Sequence, residues 1–237
     1  VTNSIKKIKQ DCNIITYNKT YKNMKIAIIG ATGFVGSAVL NEALQRGYQV
    51  TAIARNTDKI TITNKNLTAI TADAYDRTSL SKILAGHDAV VNAFNAGWTN
   101  PNLYNDFIKG SEAIQQAVKL SGVKRLLVVG GAGSLEIAPG VQLVDTPEFP
   151  AQWKSGATAA RDYLNTLKKE TELDWTFISP AIQLHPGKRT GVFRLGTDQP
   201  VFDSEGKNDI SVEDLAVAII DELENSQFIK KRFTLGY

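Results

Sequence analysis

"MKIAIIGATGFVGSAVLNEALQRGYQVTAIAR", residues 24–55, is the stretch whose reading decides the fold. KIAIIG (25–30) is an apolar run of strand length. FVGSAVLNEALQRG (34–47) places Val35, Val39 and Ala43, with Ala38 beside them, on one helical face, and Gly47 ends it. YQVTAIAR (48–55) returns to strand composition. Between the first strand and the helix stand Gly30, Gly33 and Gly36. That order predicts a dinucleotide-binding unit. The first glycine permits a tight turn, the second lets backbone approach a pyrophosphate, and the third lets the helix pack close to the sheet. The helix N-terminus offers N–H donors and partial positive charge to the phosphates. Gly30, Ala31, Thr32, Gly33, Phe34 and Val35 are the expected cofactor contacts of this turn. A merely structural turn is the competing reading.

The end of the second strand bears on which dinucleotide. NAD sites place an acidic residue there to bond the ribose 2′-hydroxyl. Here the strand ends in Arg55, 19 positions after Gly36, and the next acid is Asp58. A guanidinium pairs with a 2′-phosphate and stacks on adenine, which points to NADP. NAD is the cofactor if Arg55 is only a solvated surface side chain.

Outward from this unit, strands alternate with helices. LTAITAD (67–73), DAVVNAF (88–94), KRLLVVGG (124–131), DWTFISP (174–180) and the terminal KRFTLGY read as strands. Helices are expected over 79–86, over about 102–121 with Leu103, Phe107, Ser111, Ile114 and Val118 on one stripe, and over about 153–172. A last helix follows Ser211, with Asp214 completing a capping-box-like start. The segment 134–152, with Pro139, Pro147 and Pro150, reads as a long loop beside the substrate site. The fold class is α/β: a doubly wound parallel sheet with helices on both faces, one domain over 24–237 with a small C-terminal substrate region.

Residues 1–23 are expected to be a dispensable leader. They hold five of the 27 basic side chains, one of the 24 acidic ones, and the single cysteine, Cys12; a basic arm for a partner is the alternative. The remainder carries a net charge of −1, which speaks against a nucleic-acid-binding body. Without further cysteines it has no thiolate metal site, and no histidine–carboxylate spacing suggests a metal. No apolar run is long enough to span a bilayer. A cytoplasmic monomer or homodimer acting on a small molecule, without nucleic-acid or membrane partners, is the expectation.

Several segments carry a resemblance: GATGFVG, TADAYDRTSL, HDAVVNAF, KRLLVVGGAGSLEIAPGVQLVDTPEFP, LDWTFISPA, PGKRTGVFRLG and ISVEDLAVAIIDELE. From Met24 to Tyr237 the sequence resembles the short-chain dehydrogenase/reductase superfamily. Within it, it is similar to the atypical NAD(P)H-binding members known as NADH-flavin reductases, and in turn to the biliverdin-IX-beta reductase and NmrA-like groups. The resemblance implies Asp73 and Ala74 beside the adenine, with Asp73 as a turn residue the alternative. It implies Ala93, Phe94 and Asn95 at the ribose and nicotinamide, Gly130 and Gly131 lining the nicotinamide pocket, and Pro180–Ala181 at its carboxamide end.

Typical superfamily reductases also place a tyrosine and a lysine four apart on a helix, the tyrosine donating a proton. Tyr163 and Lys168 are five apart, about 140° around a helix. The literal pair Tyr21–Lys25 runs into the first strand. Sequences of the resembled group often carry Tyr-Lys where this chain has Trp153-Lys154. Trp153 then reads as a pocket wall or as core, and Lys154 as a contact to cofactor or substrate anion, or as a solvated lysine. Ser134 and His185 are the remaining catalytic candidates, against readings as a turn serine and a loop histidine. Hydride transfer to a flavin or quinone needs no dedicated protein acid, so an NADP(H)-dependent reductase of planar acceptors is expected. A non-catalytic NADP-binding redox sensor is the alternative. A nucleotide-sugar epimerase or dehydratase fares worse, because it needs the Tyr–Lys pair and a larger C-terminal domain.

Overall fold

The computed structural model describes residues 24–237, so the expected leader lies outside the described residues. Each long apolar run becomes a strand: β1 Lys25–Ile29, β2 Gln49–Ala54, β3 Leu67–Thr71, β4 Ala89–Asn92 and β5 Arg125–Val129. After β5 come β6 Glu136–Ala138, β7 Val141–Gln142, β8 Asp174–Ser179, β9 Gln183–His185, β10 Arg194–Gly196, β11 Asp209–Ser211 and β12 Lys231–Gly236. The helices are α1 Phe34–Gln45, α2 Arg77–Leu84, α3 Leu103–Ser121, α4 Ala151–Leu167 and α5 Val212–Asn225. The main sheet runs β10-β12-β8-β5-β4-β1-β2-β3, parallel throughout except at the short edge strand β10.

Along β1 the two-residue period of a strand sends Ile26 and Ile28 to one face and Ala27 and Ile29 to the other. Both faces are apolar because both are covered. On one, Val39 and Leu40 of α1 meet Ile219 and Ile220 of α5. On the other, Phe107 and Ile114 of α3 meet Tyr163 and Leu164 of α4. The predicted stripe on α3 is buried throughout, from Leu103 to Val118. This is the doubly wound α/β sheet expected from the sequence.

Local departures have local causes. The Asp76 side chain accepts from Ser79 N–H at 3.0 Å, and α2 begins at Arg77, ahead of the predicted residue 79. α4 starts directly after Pro150 and ends at Leu167 rather than near 172. There Glu170 accepts from the Gln115 amide and from Glu172 N–H and turns the chain out of helical course. The segment 134–152 is more ordered than a loop: β6 and β7 form a hairpin at Gly140, whose φ is +73°. The short strands β9, β10 and β11 carry no pattern long enough to be read from sequence. No helix among the described residues is long and apolar enough to cross a membrane.

Candidate functional site: a nucleotide crevice at the sheet's switch point

From β1 the chain winds outward through β2 and β3, then crosses back to place β4 on the other side of β1. The C-terminal ends of β1 and β4 therefore diverge into a crevice, the usual ligand position of such sheets. The three glycines of GATGFVG sit there with different constraints. Gly30 has φ +81°, and a Cβ on it would lie 2.5 Å from the carbonyl oxygen of Ala93. At Gly36 a Cβ would lie 2.1 Å from the carbonyl oxygen of Gly30, so the helix can approach the turn only without a side chain. At Gly33 a Cβ would meet only the Gly30 oxygen, at 3.2 Å. Gly33 is thus less constrained than Gly30 or Gly36, although the Gly30 oxygen would have to give way to a side chain.

A second glycine pair ends β5. At Gly130 a Cβ would lie 1.9 Å from the Phe177 ring, so this glycine serves core packing. At Gly131 the nearest atom would be Ala160 Cβ of α4 at 3.7 Å, an ordinary contact, so packing does not require glycine there. Phe94 turns its ring inward: Tyr75 and Phe107 flank it, and Gly110 of α3 leaves the notch it fills. With its ring committed there, Phe94 offers the crevice its backbone. Asn95 accepts from Gly97 N–H at 2.7 Å and Asp73 from Tyr75 N–H at 3.0 Å, so both shape turns at the strand ends. Ala74 and Pro180 are buried, at the β3 and β8 ends respectively.

The charge distribution fits an anion. α1 begins at Gly33 with no side-chain cap and no acidic residue in its first turn. The N–H groups of that turn thus have neither a capping oxygen nor a repelling carboxylate. Arg55 is exposed immediately after β2, and no hydrogen bond or ion pair to its guanidinium occurs among the described residues. An uncapped helix N-terminus of this kind offers its N–H groups to a phosphate. Among the described residues no cluster of His, Cys, Asp and Glu suits a metal ion.

The structure sorts the catalytic candidates. Tyr163 is 0% exposed, and its hydroxyl donates to the Gln115 amide oxygen. Burial pushes this phenol far above its usual range, so it is no proton donor to the crevice. Ser134 is corrected by the structure: it is 1% exposed, and both its hydroxyl and its carbonyl accept from Arg232, at 3.0 and 2.7 Å. That guanidinium also holds Asp198 and ties the turn after β5 to β12. His185 has both ring nitrogens on acceptors, the Pro186 carbonyl at 3.0 Å and the Asp209 carboxylate at 3.1 Å. These bonds hold its pKa above the ordinary histidine value. Lys154 is exposed in the first turn of α4. Trp153 is 43% exposed, which removes the core reading.

Two features escaped the sequence. Trp98 stands edge-on to Trp153, ring centroids 5.0 Å apart. The signal was an aromatic three residues beyond Asn95, where the resemblance implies the nicotinamide. The other is the segment after β9, strapped down by α1 and α5. Asp214 accepts from Thr190 and Gly191 N–H at 2.8 and 2.7 Å, and Arg189 grips Glu42 through two bonds of 2.7 and 2.8 Å.

The sheet and crevice define a nucleotide-binding protein of the Rossmann type. The chain belongs to the NAD(P)H-binding family, whose profile matches residues 30–226. It is 39% identical to the Bacillus subtilis protein YwnB, which is uncharacterized, over 90% of this chain and 98% of that protein. A candidate epimerase from Bacteroides thetaiotaomicron superposes with a TM-score of 0.85 at 49% identity, covering 90% of this chain and 97% of that one. A candidate NADH-flavin reductase from Streptococcus pneumoniae does so with 0.79 at 37% identity, covering 90% and 99%. This agrees with the resemblance to the atypical short-chain dehydrogenase/reductase group.

Proposed function

We propose that the protein is an NADP(H)-dependent reductase that passes hydride to a planar, electron-poor acceptor such as a flavin or quinone. The observation that carries this reading is the α1 N-terminus behind Gly33, which has no side-chain cap and no acidic residue in its first turn, at the crevice between β1 and β4. A reduced nicotinamide held there supplies a hydride. The chain's own residues bind the phosphates at the uncapped α1 N-terminus, meet a 2′-phosphate at Arg55, and hold the crevice walls through the seated Phe94 and the Arg232-tied turn. The accompanying proton comes from water, because the candidate Tyr163 is sealed in the core.

The similarity to a candidate epimerase weighs less. Epimerases of this superfamily rely on a Tyr–Lys acid pair, and Tyr163 cannot serve as its tyrosine. A cofactor-binding sensor is the second reading, favoured by the same missing acid. NADPH oxidation with FMN and with menadione decides between them. Turnover is expected, and Tyr163→Phe should keep kcat within about twofold, whereas loss of a general acid removes about 10²–10⁴-fold. Tight NADPH binding with no turnover on either acceptor would favour the sensor.

A further inference from the structure

The protein has three tryptophans. Trp175 is buried in the core, but Trp98 and Trp153 are 53% and 43% exposed, brought together from two separate elements. Their planes meet at 89° in an edge-to-face pair, so the two rings form a corner. Apolar surface of that size on a soluble face marks a binding site when it adjoins a crevice.

Helix geometry places the corner. Trp153, Ala157 and Ala160 stand at i, i+4 and i+7 on α4, and so share one face. That face lies on the turn after β5: Ala160 is the neighbour of Gly131, and Ala157 Cβ lies 2.8 Å from where a Cβ of Gly133 would be. Seven residues at 1.5 Å rise put Trp153 about 10 Å along the helix from Ala160. The indole therefore stands on the α4 face that packs on the turn after β5, one turn beyond Ala157 toward the start of the helix. Trp98 reaches the same end of α4 from the segment between β4 and α3. Its ring edge fits against Gly156, where a Cβ would lie 2.6 Å from it. Asn95 accepting from Gly97 N–H, and Asn100 donating to Ala96 O and to Asp106, hold that segment in place. Trp98 is thus seated before any ligand arrives.

We propose that the Trp98–Trp153 corner is the acceptor subsite, binding flat, electron-poor aromatic rings by stacking on an indole face. This rests on the reductase reading for its chemistry but not for its test. An electron-rich indole attracts an isoalloxazine or a quinone ring, and the corner sets that ring's tilt beside the cofactor crevice. Trp98 and Trp153 then govern which acceptor is used, without taking part in proton transfer.

The test is calorimetric titration of the NADP⁺-loaded protein with FMN and, separately, with menadione. Wild type is expected to bind both probes. Trp98→Ala/Trp153→Ala should weaken both at least tenfold while leaving NADP⁺ affinity within twofold. Trp98→Phe/Trp153→Phe should restore most of the loss, which a mere packing role would not produce. Single Trp98→Leu and Trp153→Leu variants keep apolar bulk and supply the comparison if the double alanine variant does not fold. Acceptor affinity unchanged in the alanine or leucine variants, or no binding of either probe to wild type, overturns the subsite. Acceptor binding that the variants lose, combined with no NADPH oxidation by wild type, supports the subsite and overturns the reductase reading instead.

Discussion

Helices α1 and α5 pack together on one face of the sheet, yet their N-termini are finished in opposite ways. α5 is closed by its own chain. Ser211 Oγ accepts from Asp214 N–H at 3.1 Å, and Glu213 and Asp214 supply negative charge in the first turn. Asp214 does more than face the dipole. Burial pushes its carboxyl upward, but bonds from Thr190, Gly191 and Tyr237 outweigh this and hold it below the ordinary aspartate range. At α1 the same donors and dipole are left bare behind Gly33. One terminus has its anion built in, and the other has neither a capping side chain nor an acid in its first turn. The difference teaches that an unfinished helix end matters when the surrounding chain has also cleared space and charge for a ligand.

The largest effect is expected where glycine is demanded by the protein. Gly36→Ala drives a methyl into the Gly30 carbonyl and should cost about 3 kcal/mol or more in chemical denaturation. Gly33→Asp should cost clearly less stability than Gly36→Ala, since its nearest obstacle lies at 3.2 Å rather than 2.1 Å, but weaken NADPH by about a hundredfold or more, because a carboxylate displaces and repels the pyrophosphate. Equal stability losses for the two variants would erase the distinction between packing glycine and ligand glycine.

Arg55→Ala sharpens the same contrast at the far end of the cofactor. A lost charge-assisted contact is worth about 1.5–3 kcal/mol, so NADPH affinity should fall roughly tenfold to a hundredfold with NADH spared. Parallel losses for both cofactors would remove Arg55 from selectivity. At α5, Ser211→Ala should lower stability by about 1 kcal/mol without touching cofactor affinity. A change in NADPH binding there would show that the two helix ends are coupled.

The smallest effect is a pH slope. Both nitrogens of His185 face acceptors, and only the protonated ring can donate twice. Its folded pKa is raised, so its stabilisation is fully present below the ordinary histidine value and is lost as pH rises through the folded value. His185→Ala should flatten the fall in melting temperature across that window. An unchanged slope would locate the titration elsewhere.

Much of the cofactor half was legible in the sequence. The alternation of strand and helix periods, the glycine spacing and Arg55 are local signals, because a tight turn, a buried strand and a strand-end charge each depend on residues near in the chain. So was the Ser211 cap, whose partner lies three residues on. What Gly30, Gly33 and Gly36 individually do was not separable by spacing: the distances to Ala93 and Gly30 backbone decide it, and they exist only once β4 lies beside β1. The same holds for Ser134, which reads as an available hydroxyl until Arg232, 98 positions away, closes on it. It holds for Phe94, whose ring fills the notch left by Gly110, and for Trp98, whose seat at Gly156 comes from α4. Sequence by itself determined the doubly wound sheet and the glycine turn between β1 and α1, because hydrophobic period and glycine turns act over short range. Tertiary packing alone decided which side chains still face the crevice, because burial and close contact depend on segments that meet only in the folded chain.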